Sequence, residues 1–337
     1  MSAPAPAVRD ADRPAPLPTR AAFVRGLAAC GLAAALGTPL AQPPEARAAD
    51  TGDALATTEV APGVFVHQGR HAVFAPDNGG DISNCGFVVG RDAVAVVDTG
   101  GSAAVGRALA RSVRAVTDRK IRYVINTHMH PDHVFGNAAF EAEGTTFVAH
   151  HKMARGLAAR AERFLAINGP MLGEAAFAGT RIVMPSLAVH DETTLDLGGR
   201  RLVLSPQRTA HTDNDLVVRD ETTATVFMGD LLFSGHVPTL DGSIKGWLAV
   251  LAALETAAAA RVVPGHGPAA MAWPDAARPI RRYLDGVAAG VRSAIKSGRT
   301  LAETAATVGL EEKDAWLLFT EYHRRNVSAA FAELEWE

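Results

Sequence analysis

The chain has 337 residues, 48% of them hydrophobic and 20% charged, with a formal net charge of −3. That composition is ordinary for a globular protein. No run of Lys and Arg stands out, which argues against nucleic acid as a partner, because phosphate binding needs a clustered basic footprint.

The first fifty residues differ from the rest. "MSAPAPAVRDADRPAPLPTR" is rich in Pro and Ala and has no period that would bury a face. An apolar run, "GLAACGLAAALGTPLA" (26–41), follows; it is too short to span a bilayer. Arg20 and Arg25 precede or flank it, and Ala46-Arg47-Ala48 offers small residues around a cleavage site. Residues 1–48 therefore have the layout of an export signal, which predicts a periplasmic protein with no stable membrane insertion after cleavage. "TRAAFVR" (19–25) resembles a twin-arginine signal with Ala21 in the place of the second arginine, so the twin-arginine and general secretory routes both stay open. "LAAC", ending at Cys30, resembles a lipoprotein cleavage box, but the apolar run continues past it, which argues against lipidation. Cleavage after Ala48 would leave 289 of the 337 residues, near the upper size of a single hydrophobic core. Cys85 is then the one cysteine, so no internal disulfide is expected. Its setting, "NCGFVVG", predicts a buried, inert thiol.

Strand patterns open the remainder: "GVFVHQG" (63–69), "CGFVVG" (85–90) and "AVAVVDTG" (93–100), the last two joined by "RD" as in a hairpin. Val105, Leu109, Val113 and Val116 recur at helical spacing across 103–117. "IRYVINT" (121–127) is the next strand, "TTFVAH" (145–150) another, and 151–167 a helix. Beyond a poorly patterned stretch at 168–185 come the strands "TTLDLGG", "RRLVLSP", "DLVVRD" and "ATVFMGD". A helix at 246–257, the short strand "RVVPGHG" (261–267) and a helical C-terminus complete the chain. Two strand-rich segments, each followed by helices, predict two packed sheets with helices outside, an α/β sandwich of four layers.

"IRYVINT" runs directly into "HMHPDH" (128–133), a string that chance would supply in roughly one chain in a thousand of such composition. In an extended chain His128 and His130 project to the same side and can share a cation. Pro131 turns the chain so that Asp132 and His133 can serve a second one. Imidazole nitrogen with carboxylate oxygen suits zinc, with iron or manganese also possible. Further ligands are expected at other strand ends: His211, Asp230 and His266, the last between glycines that let the backbone approach closely. The expected set is His128, His130 and His211 on one metal, Asp132, His133 and His266 on the other, and Asp230 bridging. Such a pair lies about 3.5–4 Å apart and shares a water deprotonated near neutral pH.

The strings "DTG" (98–100), "THMHPDH" (127–133), "AHT" (210–212), "GD" (229–230) and "PGHG" (264–267), in this order, resemble the metallo-β-lactamase-fold superfamily. The resemblance covers about residues 58–267 and implies an αββα sandwich for residues 49–337, with a C-terminal helical extension over about 275–337. It also implies that Asp98, with Thr127, supports the ligand loop rather than binding metal, since ligand imidazoles need their second nitrogen fixed. Asp132 and Asp230 are the expected catalytic carboxylates. His236 and Lys245, in the segment after Asp230, are candidates for the substrate pocket. His150 and His151 are expected at the surface or a helix start rather than in the cleft, and His67, His71, His190 and His323 as structural. Asp213 and Asp215 are expected to cap local backbone.

A carboxylate at Asp230, where the superfamily's β-lactamases place cysteine or serine, resembles the glyoxalase II side. "HTDNDL" (211–216) and "DGSIKGWL" (241–248) resemble exported SoxH-like metallohydrolases associated with quinoprotein dehydrogenases, so a functional link to such a periplasmic enzyme is an expectation. The implied function is an exported hydrolase with two Zn2+ whose bridging hydroxide attacks a thioester, lactone or ester carbonyl. Two dications against two carboxylates and that hydroxide leave about +1, which favours a small anionic substrate. Alternatives are a β-lactam hydrolase, a mononuclear iron persulfide dioxygenase, and a metal-binding accessory protein of a periplasmic oxidoreductase system. The segment 231–247 is expected to fold over the site, and the C-terminal tail to wall its other side.

Overall fold

The computed structural model describes residues 52–142 and 144–337, so the expected export signal lies outside the described residues. The first sheet has seven strands in sequence order: β1 (Thr58–Ala61), β2 (Val64–His67), β3 (Cys85–Val89), β4 (Val94–Val97), β5 (Ile121–Ile125), β6 (Thr146–His150) and β7 (Leu187–Val189). The first four pair antiparallel and the last four parallel, so the C-terminal ends of β4 to β7 share one edge. The second sheet has the order β12-β11-β10-β9-β8, from β8 (Thr193–Asp196), β9 (Arg201–Pro206), β10 (Leu216–Asp220), β11 (Thr225–Phe233) and β12 (Arg261–His266). It is antiparallel apart from the parallel pair β11 and β12.

Strand periodicity decides which side chains meet where. In β4, Ala95 and Val97 enter the core between the sheets, with Val66, Val88, Leu202, Leu204, Val218 and Phe227. Val94 and Val96 point the other way, against Leu109 and Val113 of α1 (Ala103–Val116). In β11, Phe227 faces the inner core, while Val226 and Met228 face the helices of the second sheet. Both sheets are thus buried on both faces, as the four-layer αββα sandwich requires, and the expected fold is the one observed.

On the first sheet α1 is joined by α2 (Pro131–Val134), α3 (Met153–Leu172) and α4 (Glu174–Phe177). The second is covered by α5 (Ile244–Glu255), α6 (Ala277–Lys296), α7 (Leu301–Thr307) and α8 (Phe319–Leu334), which bury Trp247, Ile280, Tyr283, Leu284, Val287 and Val327. Among the described residues no helix is long and apolar enough to cross a membrane. Cys85 is buried on β3, and burial pushes its thiol pKa up, as an inert core thiol requires.

Three expectations are corrected in detail. The helix foreseen at 151–167 runs on to Leu172 with Pro170 inside its last turn. The strands β1 and β7, of 4 and 3 residues, are additional. The segment 234–243 and the C-terminal helix do not wall opposite sides of the site but form one wall. Asn326 of α8 donates Nδ2–H to the Pro238 carbonyl and accepts from the Leu240 amide, the Val237 amide donates to the Leu317 carbonyl, and the Leu317 amide to the Gly235 carbonyl.

Candidate metal centre

All seven expected ligands meet at the edge where β5, β11 and β12 end. His128 lies in the loop after β5, His130 caps α2, and Asp132 and His133 occupy its first turn behind Pro131, whose missing N–H costs nothing there. Asp230 lies within β11, His266 ends β12, and His211 stands in the loop between β9 and β10. They form two groups, His128, His130, His211 and Asp230 in one, Asp132, His133 and His266 in the other; within each, one potential ligand atom per residue lies within 4.8 Å of the rest.

Asp230 reaches both groups. Its Oδ2 is 3.6 Å from His128 Nε2 and 3.3 Å from His211 Nε2, while its Oδ1 is 3.2 Å from His133 Nε2 and 3.5 Å from His266 Nε2. Asp132 Oδ2 completes the second group, 3.5 Å from His133 Nε2 and 3.2 Å from His266 Nε2. Gly265 makes this placement possible: a Cβ there would collide with Asp230 Oδ1 and with the backbone of Gly229 and Asp230.

Each imidazole has its other nitrogen held. Asp98 accepts from His133 Nδ1 at 2.9 Å and also takes the Thr127 amide and hydroxyl protons at 2.8 and 2.7 Å. Since the Thr127 hydroxyl donates to Asp98, its oxygen accepts from His128 Nδ1 at 3.1 Å. His211 Nδ1 donates to the Thr239 carbonyl at 2.7 Å, and His266 Nδ1 to the Ile82 carbonyl at 2.9 Å. His130 Nε2 donates to Asp241 at 3.1 Å. Asp98 holds this network from a left-handed backbone at φ 56°, a strained conformation of the kind that persists where surrounding structure imposes it. Below it, Asn126, Asn137 and Thr99 bond one another and the His133 carbonyl, fixing the loop.

These partners show what the second nitrogens are for. With protons on His130 Nε2 and His211 Nδ1, the lone pairs of His130 Nδ1 and His211 Nε2 face each other at 3.0 Å. Two such lone pairs repel unless a cation stands between them. Among the described residues, His128 Nε2, His133 Nε2 and Asp230 Oδ1 are buried and without a hydrogen-bond partner, which is costly in a purely structural cluster. The donor set, imidazole and carboxylate, therefore fits a metal at each group.

Electrostatics agree. Burial and then the neighbouring His133 charge hold His128 well below the usual imidazole range, and burial pushes His211 down to about 3. For His133 and His266 burial also disfavours the charge, but Asp230 and Asp132 outweigh it, raising His133 well above the ordinary value and His266 to about 9. Without metal, protons on these two rings neutralise Asp132 and Asp230, whose own pKa values are held well below the carboxylate range against burial. A divalent cation would take the place of those protons.

Of the two pocket candidates, His236 is buried beside the site, its ring stacked on ligand His266 at 5.0 Å. Lys245 touches none of the seven ligands; it pairs with Glu337 at 3.3 Å and borders a separate cavity of about 490 Å³ with Lys152, Arg208 and Ser243. His150 and His151 also stay off the ligands: His150 is buried at the end of β6, bonded to the Gln207 carbonyl and stacked on His151. His323, His67 and His190 have structural contacts, and Asp215 caps Thr212 as expected.

Sequence reasoning missed four neighbours of the site. Asp241 supports His130; burial opposes its charge, yet the His130 hydrogen bond, then Arg325 and Arg160, pull its pKa down to about 2. Tyr322 stacks on His236 at 5.3 Å. Arg325 reaches Asp241 at 3.4 Å. His71, expected as structural, stands in the loop after β2 with its ring 6.3 Å from that of His236. Asp241 alone had a sequence signal, its place in the loop that follows a ligand strand; the others lie at distances in the chain that no local pattern bridges.

Residues 78–266 match the family model of the metallo-beta-lactamase superfamily. Among solved structures the chain is similar to a metallo-beta-lactamase from Pontibacter korlensis, at 20% identity over 68% of this chain and 99% of that one, TM-score 0.56. The metallo-beta-lactamase FIM-1 from Pseudomonas aeruginosa, solved in a mono-zinc form, matches at 22% identity over 69% and 95%, TM-score 0.53. The sec-alkylsulfatase Pisa1 from Pseudomonas sp. matches at 17% identity over 83% of this chain but only 50% of its own length, TM-score 0.60. No curated protein matches the chain in sequence.

Proposed function

The chain belongs to the metallo-β-lactamase superfamily of metallohydrolases, and on that premise we propose that it is an exported hydrolase with two zinc ions, acting on the carbonyl of a small thioester, lactone or ester that carries negative charge. The observation that carries the reading is the division of Asp230, which turns Oδ2 to His128 and His211 and Oδ1 to His133 and His266. A carboxylate so divided is suited to bridge two ions. Iron or manganese would suit the same donors.

Bound zinc would supply Lewis acidity toward the carbonyl oxygen and a water that ionises near neutral pH. The chain's residues do the rest. Asp98, Asp241 and the Thr239 and Ile82 carbonyls keep protons on the outer imidazole nitrogens, so the inner ones stay basic and correctly aimed. Asp132 turns Oδ2 toward His133 and His266; its Oδ1, with no hydrogen-bond partner among the described residues, would take a proton from water and return it to the leaving group. His236, Phe233 and Tyr322 stack beside His266 and keep bulk water off that flank.

The direct test is to assay zinc-loaded protein on small anionic thioesters, lactones and esters, with His130→Ala as the blank. Absence of His130-dependent hydrolysis in all three classes would sink the reading. A second reading, sulfate-ester hydrolysis, is favoured by the alkylsulfatase overlay, which extends over 83% of the chain where those on the two lactamases cover 68% and 69%. Secondary alkyl sulfates in the same assay separate the two. Export through the segment 1–48 is part of the proposal; N-terminal sequencing of secreted protein should begin near Ala49.

A further inference from the structure

Helix α8 lies outside the residues 78–266 that match the family model, yet it comes within one side chain of both ligand groups. Tyr322 stacks on His236, which stacks on His266 of the second group. Three residues on, Arg325 reaches Asp241, which holds His130 of the first group. Residues at that spacing are neighbours on a helix surface, so one face of α8 spans the pair of sites.

Neither side chain is used up by the fold. The Tyr322 hydroxyl makes no hydrogen bond among the described residues, although its ring is half-buried and such hydroxyls usually find a partner. Burial, and then the negative charge of Asp132, push that phenol up to about 12, so it stays a proton donor. Arg325 keeps 64% of its side chain exposed, and its one side-chain hydrogen bond among the described residues is the 3.4 Å approach to Asp241, long for a guanidinium–carboxylate bond. Asn326, between them in function, is the anchor: it ties α8 to Pro238, Leu240 and Tyr283, so the helix face is held rigidly against the site.

We propose that Tyr322 and Arg325 form an anion subsite of the metal centre, receiving the carboxylate of a small substrate between the phenol and the guanidinium. The assignment rests on the hydrolase reading for the substrate's identity, but not for the binding event. A phenol proton and a guanidinium fork can bind the two oxygens of one carboxylate. Arg160, whose charge also acts on Asp241, adds to the positive field there.

The test is calorimetric and needs no turnover. Zinc-loaded protein is titrated with glutarate and with its monoamide, which share one carboxylate and differ in the second. Glutarate should bind about tenfold tighter, the worth of one charge-assisted bond pair. Arg325→Ala should abolish most of that advantage, Tyr322→Phe part of it, and Arg325→Lys should keep some. Arg278→Ala, which removes a cation paired with Asp275 elsewhere, should leave it intact. Equal binding of the two ligands, or an advantage that survives both Arg325→Ala and Tyr322→Phe, would overturn the subsite. Discrimination without hydrolysis of any ester class would leave the subsite standing and remove the hydrolase reading; hydrolysis without discrimination would do the reverse.

Discussion

Asp241 accepts the Nε2 proton of His130 across 3.1 Å, and through that bond the loop beyond β11 sets the aim of a ligand that lies 111 residues earlier in the chain. The consequence is measurable. Asp241→Ala leaves His130 free to rotate and to change tautomer, and should weaken zinc at the His128, His130 and His211 group by about 10- to 100-fold. Asp241→Asn keeps an acceptor oxygen and should lose less. Competition with a chromophoric chelator reads both; equal affinity in all three proteins would remove Asp241 from the account.

Asp230→Asn preserves volume but replaces one of the two oxygens by an NH2 group, which repels a cation. Bound zinc should fall from two toward one per chain, with most of the hydrolysis lost. A variant that keeps two ions and full activity would show that Asp230 does not bridge.

Gly265→Ala tests the same feature from the backbone. The added methyl would collide with Asp230 Oδ1 and with the chain at Gly229. Overpacking of this kind costs about 1–3 kcal/mol, so the urea midpoint of the metal-free protein should drop, and the second ion should bind more weakly. An unchanged midpoint together with two tight ions would contradict the packing described.

The pH dependence of stability has a definite sign. His266 is raised to about 9, and His133 well above the ordinary imidazole value of 6.5, with burial opposing and Asp230 foremost in favour. Their stabilising charge is fully present below pH 6.5 and is lost as the pH climbs toward 9. Asp215, raised to about 8 by burial, adds to the fall up to that pH, whereas the lowered His128 and His211 act below 6.5 and leave the window untouched. Bound zinc would take the place of the protons on His133 and His266. Metal-free protein should therefore lose more stability between pH 6.5 and 9 than zinc-loaded protein, by urea unfolding at each end. Identical losses would mean that the two rings do not carry those protons.

A bulky bicyclic β-lactam needs an open groove. Here His236, Tyr322 and the 234–243 segment, bonded through Asn326 to α8, close one side. Cephalosporin turnover should be weak beside that of small thioesters or lactones, and Tyr322→Ala should narrow the gap. Efficient β-lactam hydrolysis with nothing comparable on the smaller substrates would reverse the ordering.

The seven candidate ligands were legible because their signal is local: "HMHPDH" compresses four of them into six positions, and the other three stand in or just after strands whose apolar character is plain. The two-sheet fold was legible for the same reason. The edge strands β1 and β7 were not, since "TEVA" and "LAV" each bury a single residue fully and carry no period. Helix α3 hid its end behind Gly169 and Pro170, which read as a stop but fall in a last turn where few backbone bonds remain to lose. Tyr322 and Arg325 were invisible because their role comes from tertiary docking through Asn326, about 90 residues from the loop it grips.

The central claim is a pair of zinc ions bridged by Asp230. Equilibrium dialysis of the purified protein against zinc, followed by elemental analysis, measures it directly. The account predicts two ions per chain in the natural sequence and a lower number in Asp230→Asn. A single ion that is indifferent to Asp230, a single iron retained in preference to zinc, or no bound metal would contradict it.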